Sequence, residues 1–125
     1  MDDLYLKMWA LVERLAVKTA EGRLVWESTS GKGVFQTSLP KYTVRISEEP
    51  NRHTEGMDYV MSIHDSSGSN IERVSDVDLA PTAGAKGEDA FSVMRGLYKE
   101  AKRAALGVDK AVDEIITALD EDFPF

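Results

Sequence analysis

Apolar side chains recur along this chain with two periods. Leu4, Tyr5, Met8, Trp9, Leu11, Val12, Leu15 and Ala16 share one broad face at about 100° per residue, with Lys7, Arg14, Lys18 and Glu21 opposite. That spacing predicts an N-terminal helix. Asp2 or Asp3 caps its start by accepting free backbone N–H groups, and Gly22 ends it. The apolar arc is wide enough to pack under a sheet or to share its flank with a second copy of the chain.

From Arg23 onward the period falls to two. Arg23–Glu27 alternates around Leu24 and Trp26, and Val34–Leu39 forms a second strand closed by Pro40. Lys41–Glu48 sets Tyr42, Val44 and Ile46 against Lys41, Thr43, Arg45 and Ser47. Met57–Asp65 and Asn70–Val74 follow, separated by the turn Ser66-Ser67-Gly68-Ser69. The polar stretch Glu49–Gly56 and the stretch Val77–Gly87, which carries Pro81, Gly84 and Gly87, read as loops.

A helical period returns at about Glu88–Leu106. Ala90, Phe91, Val93, Met94, Leu97, Tyr98, Ala101, Ala104 and Ala105 lie on one side, and Arg95, Lys99, Lys102 and Arg103 on the other. Gly107 stops it. Asp109 caps a short last helix to about Leu119, in which Val112, Ile115, Ile116 and Leu119 are expected to be buried.

These elements predict an α+β domain over residues 1–119: an N-terminal helix, a four- to five-stranded antiparallel meander sheet, and two C-terminal helices packed on one sheet face. Residues 120–125 are an acidic-aromatic tail. The uncovered face of the sheet carries Lys41, Thr43, Arg45, Ser62, His64 and Arg73.

Composition narrows the chemistry. The length of 125 residues suits one domain and one core, and 42 % hydrophobic with 30 % charged residues is ordinary for a globular protein. The absence of cysteine removes disulfides, thiolate metal sites and thiol nucleophiles. No apolar run approaches a membrane span, and Met1-Asp2-Asp3 has the wrong charge for a signal peptide, so a cytoplasmic protein is expected. Fifteen basic residues against 22 acidic ones give a net charge of -7. The excess is concentrated in residues 107–125, where Lys110 is the only base among six acids.

Most apparent motifs dissolve on inspection. In His64-Asp65-Ser66, neighbouring strand residues point to opposite faces and cannot form a relay. His53 and His64, with Asp58 or Asp65, lack metal-ligand spacing. Ser30-Gly31-Lys32-Gly33 resembles part of a phosphate loop but feeds a strand, and Gly84-Ala85-Lys86-Gly87 leads into Glu88 and Asp89, which repel an anion. No catalytic, cofactor or metal site is expected, and the chain is read as a non-enzyme.

Two basic surfaces remain. Arg95, Lys99, Lys102 and Arg103 offer a face to an acidic partner or to the chain's own tail. Lys41, Arg45 and Arg73, if joined by Trp26, Phe35 or Tyr59, would make a platform for single-stranded DNA.

The tail Asp120-Glu121-Asp122-Phe123-Pro124-Phe125 is the most specific feature. A terminal ring beside its α-carboxylate suits a pocket holding an Arg next to a hydrophobic hole, and the acids favour a basic rim. It resembles the C-terminal tip of bacterial single-stranded DNA-binding protein, over these six residues only. That resemblance implies recruitment of replication, repair or recombination enzymes, with Pro124 and Phe125 in the partner's pocket and Asp120, Glu121 and Asp122 along its approach. A vaguer likeness to small bacterial, phage and mobile-cassette proteins rests on Arg23-Leu24-Val25-Trp26-Glu27, Tyr59 through Asp65, Gly68, and Leu97-Tyr98 through Val108-Asp109, and carries no chemistry. The expected role is a protein-interaction protein in bacterial or phage DNA metabolism. The alternative is a homodimeric accessory or small-ligand-binding protein, paired through its first helix, with a structural tail.

Overall fold

The computed structural model describes residues 3–121 and shows an α+β architecture. Helix α1 (Asp3–Ala20) precedes five strands: β1 (Glu27–Ser28), β2 (Val34–Ser38), β3 (Tyr42–Pro50), β4 (Met57–Asp65) and β5 (Asn70–Ser75). Helices α2 (Asp76–Ala85), α3 (Ala90–Ala105) and α4 (Val108–Asp120) follow. The strands form one antiparallel sheet in the order β1-β2-β3-β4-β5, a simple meander.

Register decides which side chains share a face. Phe35 pairs with Ile46, Ile46 with Met61, and Met61 with Val74, so these four form one buried row across the sheet. Helix α3 lies over β1–β4, α2 covers β4 and β5, and α1 packs on α3 and α2. The core is therefore continuous from the sheet through Met94, Leu97 and Ala101 of α3 to Met8, Trp9, Val12 and Leu15 of α1. No helix among the described residues is long and apolar enough to cross a membrane.

Glu49 and Pro50 extend β3 rather than opening the loop that follows, and Gly107 rather than Asp109 is the cap residue of α4. Three further expectations need correction. The stretch 23–27 is a strand only at its end. The Trp26 indole donates to Thr19 Oγ1 at 3.0 Å, which draws the chain under α1 until it meets Gln36 and Phe35. Val77–Gly87 is mostly helix rather than loop, so three helices, not two, follow the sheet. A reciprocal capping box starts α2: Asp78 N–H donates to Ser75 Oγ at 3.2 Å, and Ser75 N–H to the Asp78 carboxylate at 2.9 Å. Burial of Leu79, Thr82 and Ala83 on one face holds the helix, and the exposed Pro81 forfeits a single intrahelical bond. Third, Val112, Ile115, Ile116 and Leu119 of α4 are not buried; they are 47, 59, 49 and 59 % exposed.

Asp76 locks α2 to the sheet. It is only 6 % exposed, and its carboxylate accepts the Tyr59 N–H at 2.8 Å. Burial raises its pKa above the ordinary 3.8; the Tyr59 bond opposes this, and the charges of Asp58 and Asp89 add to it. The folded protein then binds that proton at higher pH than the unfolded chain. The contribution of Asp76 to stability is greatest at low pH and declines as pH rises from 3.8 through the folded value. Asp76→Asn keeps an acceptor and should flatten this slope in urea denaturation between about pH 4 and pH 7. Asp76→Ala orphans the Tyr59 N–H and should cost about 1–3 kcal/mol. An unchanged slope in Asp76→Asn would refute the assignment.

Candidate functional site

Helix α4 is presented rather than packed. The chain reverses after α3 through Gly107, whose φ of +64° is costly for other residues, and α4 then leaves along a new direction with α3 as its neighbour. Arg103 pins the corner by donating to Asp109 Oδ1 from Nε at 3.0 Å and from Nη2 at 2.7 Å. That carboxylate in turn raises the Arg103 pKa. Beyond this joint, none of the α4 residues is buried.

The helical period organises what α4 displays. Val108, Val112, Ile115 and Leu119 follow the i, i+4, i+7, i+11 spacing of a helix seam, with Ile116 beside them. Asp109, Asp113 and Asp120 lie along one edge of that stripe. Asp120 and Glu121 sit at the negative end of the helix dipole, where acidic groups destabilise a helix. Local stability therefore gives no account of these acids. Of the predicted tail site, Asp120 and Glu121 are exposed at this end; Asp122, Phe123, Pro124 and Phe125 lie outside the described residues.

The basic face of α3 is exposed at Arg95, Lys99, Lys102 and Arg103. It meets the acidic segment at the Arg103–Asp109 contact.

On the uncovered sheet face, Gln36, Arg45, Ser62 and Arg73 align as direct cross-strand neighbours. Lys41 is exposed just before β3 and outside this row. Arg45 Nε donates to Gln36 Oε1 at 3.1 Å, and Arg73 pairs with Glu49. The platform's aromatic half is not available there: Trp26, Phe35 and Tyr59 are buried in the core under the helices. Three basic side chains without a stacking surface, two of them already engaged, are a poor track for single strands.

The remaining candidates are structural. Asp65 Oδ1 accepts from Ser67 N, Ser67 Oγ and Ser69 N at 3.0, 2.7 and 2.9 Å, so it organises the β4–β5 turn, and these bonds hold its pKa down. Ser62 Oγ and His64 Nε2 are 2.9 Å apart, but His64 Nδ1 is buried without a partner among the described residues, so no carboxylate orients the ring. His53 is exposed in the β3–β4 loop, and the described residues hold no group of three metal-binding side chains. Lys86 donates to Glu13 at 3.0 Å, lowering the Glu13 pKa and tying α2 to α1. No protein family, curated sequence or solved structure matches this chain.

Proposed function

We propose that this is a non-enzymatic interaction protein of bacterial or phage DNA metabolism whose α4 and acidic Phe-Pro-Phe end act as one recognition element. The observation that carries the reading is the exposed α4 stripe with its acidic edge, directly continuous with the tail. The partner this chemistry fits is a protein groove that is apolar at its base and rimmed with Arg or Lys. Val112, Ile115, Ile116 and Leu119 would fill the groove, Asp113 and Asp120 would meet its rim, and Phe123–Phe125 would occupy its far end. A labelled peptide of the single-stranded DNA-binding protein tip, bound to purified replication and repair enzymes that read it, tests this by fluorescence anisotropy. The intact chain is expected to displace the peptide from at least one enzyme, and the chain lacking Phe123–Phe125 to do so at least about tenfold less well. Failure of the intact chain to displace it from any of them rejects the reading.

One observation favours a second reading, in which a second copy covers α4. The outer side of α1 carries Leu6, Ala10 and Val17, with Leu6 43 % and Val17 54 % exposed, and Lys7, Arg14 and Lys18 edge that stripe. Antiparallel docking would set this basic edge against Asp109, Asp113 and Asp120, whereas α4 against α4 would oppose like charges. Sedimentation across a concentration range separates the two readings: a dimer that dissociates on Ile115→Lys assigns α4 to the second copy, and a strict monomer leaves it for another protein.

A further inference from the structure

The Ser30-Gly31-Lys32-Gly33 loop has a structural setting that its sequence does not suggest. It borders a cleft of about 530 Å³ between the β1–β2 connection and the C-terminal half of α3. Phe35 and Tyr98 form the apolar floor, with ring centroids 5.7 Å apart. Two polar groups converge there. The Glu48 carboxylate is half-buried and accepts from the Tyr59 hydroxyl at 2.8 Å; Arg95 approaches that same hydroxyl, yet among the described residues no cation reaches ion-pair distance of Glu48. Tyr98 is only 4 % exposed as a whole, but its side chain lines the cleft. Gly33, at φ +72°, runs beside the Tyr98 hydroxyl, where an added Cβ would make an ordinary contact at 3.5 Å. The loop backbone thus borders the polar end of the cleft. At its rim stand Lys32 and Lys102, both exposed.

Each part restricts the ligand. A half-buried carboxylate with no cation in ion-pair contact attracts an ammonium group through charge and hydrogen bonding. Glu48 disfavours a bare anion such as phosphate. One carboxylate is too few for a divalent cation. The two rim lysines repel a ligand that is only cationic and attract one whose other end is anionic. The volume lies in the range of small-molecule sites. We infer that this cleft binds a free α-amino acid, its ammonium on Glu48 and the Tyr98 hydroxyl and its carboxylate at Lys32 and Lys102. The site lies apart from the α4 stripe, so it stands whether or not the recognition role above is correct.

Titration of the full-length ¹⁵N-labelled protein with each of the twenty amino acids, each matching decarboxylated amine and inorganic phosphate tests this by NMR. At least one amino acid is expected to bind with Kd below about 1 mM and to shift the amides of Gly31, Gly33 and Tyr98. Its decarboxylated amine should bind at least about tenfold more weakly, as should the amino acid to Glu48→Gln, where the Tyr59 hydroxyl still has an acceptor. Lys102→Met, an exposed change that leaves the core intact, should weaken the amino acid but not the amine. The proposal fails if no amino acid binds by about 10 mM, if the amine binds as well, if phosphate alone produces the same shifts, or if neither variant changes affinity.

Discussion

Replacing Trp9 with alanine is expected to cost about 3–5 kcal/mol, the largest single loss in this protein. Trp9 is fully buried on α1, within the cluster that joins α1 to α3 and the sheet. Its Nε1 is also buried and has no partner among the described residues. Two effects therefore oppose each other. Truncation leaves a cavity and forfeits the ring's packing, while it relieves an unsatisfied N–H worth about 1–3 kcal/mol. Trp9→Phe separates them, because it removes the N–H and keeps most of the ring; its cost should be no more than about 1–2 kcal/mol. Urea denaturation with unchanged m-values measures both. A loss below about 1 kcal/mol for Trp9→Ala would mean that α1 is not a structural member of the core. Since domains of this size are stable by only about 5–15 kcal/mol, the larger loss would leave the fold near its limit.

The ease with which the sheet is read from sequence, against the difficulty of α2 and the sites, follows from the range of the forces involved. Met57–Asp65 is delimited as expected because alternation and flanking turns are both local, and the Tyr42–Ile46 alternation places Val44 and Ile46 inward, while Tyr42, expected with them, is exposed at the strand's start. Helix α2 is hidden because Pro81, Gly84 and Gly87 weigh as breakers, while the signal that overrides them is brief: Ser75 and Asp78 at capping-box spacing, then Leu79, Thr82 and Ala83. For α4, periodicity shows that one face is apolar but not what covers it. The supposed platform fails on parity. Once Phe35 pairs with Ile46, and Tyr59 with Glu48, both rings lie on the face opposite Arg45 and Arg73. Alternation within a single strand cannot supply that register between strands. The cleft is the least legible feature, since Gly33, Glu48 and Tyr98 meet only through tertiary packing.

Exchanging the acids at the end of α4 for bases should move stability and binding in opposite directions. Asp120→Lys with Glu121→Lys places positive charge at the negative pole of the helix and should stabilise the protein by about 0.3–1 kcal/mol. Ile115→Lys with Ile116→Lys should leave stability within about 0.5 kcal/mol, because both side chains are already half exposed and lysine is at least as good a helix former as isoleucine. In the peptide-displacement measurement both pairs should instead weaken the interaction, by about tenfold for the charge reversal and at least about a hundredfold for the isoleucines, if these anchor the groove. A surface kept for solubility would show no such opposition. A stabilised charge-reversal variant that displaces the peptide as well as the parent does would show that the acids of α4 serve no partner. Substantial destabilisation on replacing the two isoleucines would show that the stripe is covered within the folded protein itself. The combination expected here, unchanged or improved folding together with lost recognition, is the signature of side chains retained against local stability for a contact made elsewhere.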